Sequence, residues 1–126
     1  MPIYKIKPSY SDDRGTITDI LSHKPIDAVT MITFTKGAIR ANHYHKKTTQ
    51  WNYLISGEIL YRSKYKDGKI NNHKMKPGDF IISLPNEIHA IKGLQKSLLL
   101  VLTRGPRNGK EYETDTYRDI EPLITN

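Results

Sequence analysis

The stretch Gly37-Ala38-Ile39-Arg40-Ala41-Asn42-His43-Tyr44-His45-Lys46-Lys47-Thr48-Thr49-Gln50, with Gly57 beyond it, organises the reading of the whole chain. His43 and His45 are two residues apart. On a strand successive side chains alternate, so both imidazoles face one side. Neighbouring imidazoles repel when both are protonated. The pair therefore favours the neutral form, which is a metal ligand or a proton acceptor. Gln50 opens the next strand-like run, where a hairpin return can set it beside the pair. His89 follows Pro85-Asn86-Glu87-Ile88, just past another such run, and a later strand can bring it in. The remaining two histidines, His23 and His73, read as surface or satisfied interior residues.

Outward from this stretch the periodicity is that of strands. Ala28–Phe34, Gln50–Ile55, Glu58–Arg62, Asp79–Leu84 and Ser97–Thr103 are rich in β-branched, aromatic and aliphatic residues. Turn signals separate them at short spacing: Lys36-Gly37, Ser56-Gly57, Asp67-Gly68, Pro77-Gly78 and Pro85-Asn86. Asp67-Gly68 predicts a hairpin with a type I′ turn, whose two central residues both take positive φ. Short strands with regular turns specify an all-β sandwich or barrel. No window of a dozen residues carries a helical stripe.

The chain of 126 residues is one domain's worth of sequence. It reads as a single domain, 1–126, with a core over about 14–103 and a C-terminal loop and arm over 104–126. In the arm, Thr114 to Tyr117 can form a last short strand or a pairing arm, packed on its own barrel or on a second subunit. The formal charge is +7, of which residues 1–103 carry +8 and the arm −1. A basic surface of this kind raises a polyanion as partner. No helix-turn-helix, zinc finger or paired aromatic motif for RNA is present, so nucleic acid is not expected. There is no cysteine, which excludes thiol catalysis and zinc ribbons and leaves histidine as the main base or ligand. The longest strongly apolar run, Leu98–Leu102, is too short to span a membrane, and no secretory signal is visible. A cytoplasmic protein is the expectation.

The spacing of Gly37, His43, His45, Gln50 and Gly57 matches the first motif of the cupin family, with Gln50 where the family has Glu. Gly78, Pro85 and His89 resemble the second motif. There Glu87-Ile88 stands where a glycine is commoner, and the closing Asn is missing. This resemblance implies a cupin double-stranded β-helix, a jelly-roll barrel. A narrower likeness lies in Arg40-Ala41-Asn42-His43-Tyr44-His45-Lys46, which is similar to the Arg-Gly-x-His-Ala-His-Lys stretch of sugar-nucleotide 3,4-ketoisomerases. Asp13-Arg14-Gly15 likewise resembles an opening shared by those enzymes and the related 3,5-epimerases. The departures are Ala41 for the Gly and Tyr44 for the Ala.

The resemblance implies an isomerase or epimerase of a nucleotide-linked 4-keto-6-deoxy sugar, of the kind used in polysaccharide biosynthesis, and a homodimer. A neutral histidine of the 43/45 pair then acts as general base, and the second histidine, Tyr44 or Arg40 stabilises the oxyanion. Arg14, Arg40 and Lys46 are candidates for a diphosphate, Gln50 for sugar hydroxyls, and Trp51, Tyr53 and Tyr61 for stacking at the barrel mouth. No cofactor is required in this reading. The alternative is a metal-dependent cupin enzyme, in which His43, His45 and His89, with Gln50 as a neutral fourth ligand, hold a divalent ion such as Zn, Fe, Mn or Ni. A third reading is a sugar- or metal-binding cupin that senses rather than converts.

Overall fold

The computed structural model describes residues 2–126, and its regular structure is nearly all strand. In chain order the strands are β1 (Ile3–Lys5), β2 (Tyr10–Asp12), β3 (Gly15–Ile17), β4 (Ala28–Phe34), β5 (Ile39–His43) and β6 (Thr49–Ser56). There follow β7 (Ile59–Lys64), β8 (Ile70–Met75), β9 (Asp79–Ser83), β10 (Ile88–Gly93) and β11 (Ser97–Arg104), then a short 3-10 helix at Glu111–Asp115. Two antiparallel sheets pack face to face, one ordered β1-β9-β6-β11-β4 and the other β5-β10-β7-β8, while β2 and β3 form a separate hairpin. This is the jelly roll the sequence predicts. No helix among the described residues is long and apolar enough to cross a membrane.

Alternation along the strands builds the interior. Phe34, Leu54, Ile81, Leu99 and Val101 from the first sheet meet Ile59, Tyr61, Met75 and Ile91 from the second in one buried cluster. The outer face of the first sheet carries a smaller cluster of Trp51, Phe80 and Leu102, covered by Ile6, Ile20 and Leu21 from the N-terminal segment. That segment also contributes β1, which pairs with β9 although it precedes the 14–103 core read from the sequence.

Two turns bear on how neighbouring strands are joined, one crossing between the sheets and one staying within a sheet. Gly57, with φ of +88°, passes the chain from β6 to β7, and a Cβ there would collide with the Ser97 side chain and the Lys96 carbonyl. No other residue fits. The hairpin at Asp67-Gly68 joins β7 to β8 as predicted, but the turn differs. The loop runs over residues 65–69, Gly68 N–H donates to Tyr65 O at 2.9 Å, and only Gly68 has positive φ. The longer loop leaves Asp67 in an ordinary conformation, its carboxylate capping Lys69 N–H at 2.9 Å.

Candidate active site

β5 and β10 run side by side, and His43 pairs in register with His89. Just before His43 the backbone is left-handed at two successive residues, Ala41 (φ +69°) and Asn42 (φ +57°). The Asn42 carboxamide secures this kink by accepting Leu123 N–H and Ile124 N–H and donating to Ile124 O at 3.0 Å. Beyond it, His43 and His45 turn inward and Tyr44 turns outward, as alternation requires. The ring centroids of His43 lie 4.7 Å from His45 and 4.8 Å from His89. Each of the three residues offers a nitrogen within 4.8 Å of the others.

Two of the rings have fixed orientations. His45 Nδ1–H donates to Asp115 O at 2.8 Å, and His89 Nδ1–H faces Glu87 O at 3.3 Å. Nε2 is therefore the nitrogen each has left to offer, as a lone pair. His45 Nε2 is buried and makes no hydrogen bond. Burial, reinforced by the neighbouring His89 and His45, pushes His43 down to about 2. Burial and then His45 push His89 down to about 3. Burial also lowers His45, opposed by the Asp115 carbonyl and by the neighbouring Gln50 carboxamide. At neutral pH the cluster is uncharged.

The cluster opens on a cavity of about 340 Å³ between the sheets. His43 and His89 line it, with Gln50 and Asn52 side by side on the inward face of β6. Three cations also line it, Arg40, Arg107 and Arg118, with Tyr112 among them. Arg40 donates to Thr33 O at 3.1 Å and lies over the Phe34 ring. Arg107 lies over Tyr112, and Arg118 holds the Glu113 carboxylate through both terminal nitrogens at 2.8 and 2.9 Å.

Beneath His89 a buried polar chain completes the wall. The Tyr61 ring stacks on His89 with centroids 6.0 Å apart. Its hydroxyl meets Ser83 Oγ and donates to Glu87 Oε1 at 3.1 Å, and Asn52 donates to Ser83 Oγ at 2.9 Å. Burial raises the Glu87 carboxyl above its ordinary value despite its tyrosine partners.

The other expected residues lie elsewhere. Arg14 is exposed in the β2–β3 hairpin, where it grips Asp12 at 2.6 Å. Lys46 sits with its ammonium 4.3 Å from the Tyr117 ring centroid. Tyr44, on the outer side of the strand, stacks on Tyr117 and donates to Asp119 at 3.1 Å. Trp51 and Tyr53 alternate with Gln50 and Asn52, so they belong to the outer cluster and not to the cavity. Tyr61 is fully buried and supports His89 from behind. His73 joins Lys5 on Asp79, and His23 is exposed.

Four residues at or behind this site were not read from the sequence. Asn52 was accessible to it, since it shares a face with Gln50. Arg107, Arg118 and Asp115 were not, because they reach the site across some 60 to 80 residues of chain with no periodic signal. The arm that carries them folds back on its own barrel through Tyr44 N–H to Tyr117 O (3.0 Å) and Tyr117 N–H to Tyr44 O (2.9 Å). Of the two forms expected for Thr114–Tyr117, it takes the pairing arm, through one bridge at Tyr117 after a 3-10 helix, and not the strand.

A family model described as Cupin matches residues 3–117. A sugar 3,4-ketoisomerase of Thermoanaerobacterium thermosaccharolyticum, solved in complex with TDP, is 25% identical with a TM-score of 0.77, covering 94% of this chain and 87% of that one. A dTDP-4-dehydrorhamnose 3,5-epimerase of Sulfolobus tokodaii shares the fold at 16% identity and a TM-score of 0.71, over 98% of this chain and 88% of that one. Over 64 residues, 51% of the chain, the sequence is 31% identical to an oxalate decarboxylase of Arthroderma benhamiae, of whose length it spans only 15%.

Proposed function

The chain belongs to the cupin family, and from that premise we propose that it is an isomerase or epimerase of a nucleotide-linked 4-keto-6-deoxy sugar. The observation that carries this reading is the convergence of neutral histidines on a cavity lined also by three arginines. A neutral imidazole takes a proton from the carbon beside a ketone and returns it to the neighbouring carbon. The hydroxyl proton moves the other way, so the carbonyl migrates between carbons 4 and 3 through an enediol. Of the 43/45 pair, His43 lines the cavity and is the general base. Arg40 faces the developing oxyanion. Gln50 and Asn52 offer amides to sugar hydroxyls without a charge cost, and Arg107 and Arg118 suit a diphosphate. The likeness to a ketoisomerase solved with TDP supports this substrate class. Solvent-deuterium incorporation into a TDP-4-keto-6-deoxy sugar tests it, and absence of exchange with such sugars overturns it. A homodimer and a cytoplasmic location belong to the same proposal. Exposed Val29 and Met31 on the edge strand β4 support the dimer.

A metal-dependent reaction is the second reading, favoured by the three imidazole nitrogens within 4.8 Å of one another. Neutral imidazoles held by backbone carbonyls suit a divalent transition ion. His43, His45 and His89 would hold it, with Gln50 beside them, and the ion would polarise a carbonyl or activate water. Gln50 in place of a carboxylate removes one negative charge and weakens such a site. A stoichiometric metal in the purified protein, lost in a His43→Ala/His45→Ala double variant, would establish this reading over the first.

A further inference from the structure

We propose that Asp115 is the positioning residue of this site, and that the C-terminal arm acts on the chemistry through it. The inference rests on reading the histidine cluster as the reacting centre. Asp115 is 3% exposed although it ends a surface 3-10 helix. Its carboxylate accepts Lys46 N–H at 3.0 Å, Lys47 N–H at 2.9 Å and the Thr48 hydroxyl at 2.6 Å. These donors are the three residues that follow His45. Its backbone carbonyl accepts His45 Nδ1–H at 2.8 Å. One residue thus grips His45 twice, through the ring and through the backbone beyond it.

Both halves of the grip have a chemical consequence. The carbonyl places the proton on Nδ1 and leaves Nε2 as a lone pair. Burying that lone pair without a donor costs free energy, so the ring holds this pose because it is clamped there. The carboxylate offers acceptors to two amides and a hydroxyl at once. A carboxamide would offer one oxygen and turn its own N–H groups toward a backbone N–H. The same clamp keeps the arm down, and with it Arg107, Tyr112 and Arg118 lining the cavity.

Nitrogen NMR of protein carrying labelled histidine tests the clamp without any substrate. In the native chain His45 and His89 both show the Nδ1–H tautomer. In Asp115→Asn, His45 is expected to become a tautomer mixture, while His89, held by the Glu87 carbonyl, stays unchanged as an internal control. Turnover of the sugar nucleotide falls by up to roughly 100-fold, in kcat through the histidine and in KM through the arginines that the arm carries. Thr48→Val, which removes one bond and keeps the carboxylate, gives a smaller change confined to His45 and decides the matter if Asp115→Asn fails to fold. A pure Nδ1–H His45 in the variants, or a change in both histidines in Thr48→Val, overturns the proposal. If no sugar nucleotide is converted at all, the isomerase reading fails while the tautomer result still judges the clamp.

Discussion

His43 and His89 are register partners on neighbouring antiparallel strands, with rings 4.8 Å apart and nearly perpendicular at 88°. His43 is the more accessible of the two, which is why the proposal gives it, and not His89, the contact with substrate. His43→Asn is expected to lower kcat roughly 10²–10⁴-fold, the usual contribution of a general base, with KM little changed. Single-turnover deuterium wash-in reads the loss. An active His43→Asn enzyme would move the base to another residue.

The same burial makes stability depend on pH. His43 falls to about 2 and His89 to about 3 from an ordinary 6.5. Below 6.5 the unfolded chain takes up protons that the folded chain refuses. This stability is therefore complete above pH 6.5 and is lost steadily as pH falls toward 3, by up to about 1.4 kcal/mol per pH unit for each histidine. Urea midpoints measured across that window check it, and a His43→Asn/His89→Asn variant should show a shallower slope.

Arg107 and Arg118 face the cavity from the arm. Each charged hydrogen bond to a phosphate is worth about 1.5–3 kcal/mol, so Arg107→Ala or Arg118→Ala should raise KM for a nucleotide-linked sugar by roughly 10-fold or more. Added salt should narrow the difference between native and variant enzymes. The Glu113–Arg118 pair is exposed, with side chains 44% and 51% accessible, and pairs of that kind add little stability. The melting temperature of Arg118→Ala should stay close to native, which separates binding from folding.

Ala41 occupies a left-handed conformation, φ +69°, at the position where the similar ketoisomerase stretch has glycine. A side chain there costs about 1–2 kcal/mol, partly offset by the greater freedom that glycine loses on folding. Ala41→Gly should therefore stabilise the protein by up to about 1 kcal/mol. A lowered urea midpoint would contradict the left-handed kink.

The fold was legible because strands advertise themselves locally. Ala28–Phe34 is read with its observed ends, and Gly37, Gly57 and Gly78 fall where the chain changes sheets. The histidine cluster was legible for a related reason: a two-residue spacing fixes one face, and the motif ties it to His89. Two things escape, one that face assignment settles and one beyond its reach. Trp51 and Tyr53 lie on the side of β6 opposite Gln50, and their aromatic character suggested a mouth where alternation had already placed them outside. Arg107, Asp115 and Arg118 meet the site only through the closure of the arm. That closure depends on Asp115 meeting three donors some seventy residues away, a match that no local pattern displays.

The clasp that Asn42 makes on Leu123 and Ile124 links the C-terminal arm to the kink ahead of His43. One carboxamide satisfies Leu123 N–H, Ile124 N–H and Ile124 O, and Ile124 is 4% exposed. The tail behaves as a latch whose keeper is on the histidine strand. Removing Leu123 and Ile124 is expected to open it and slacken the strand that carries His43.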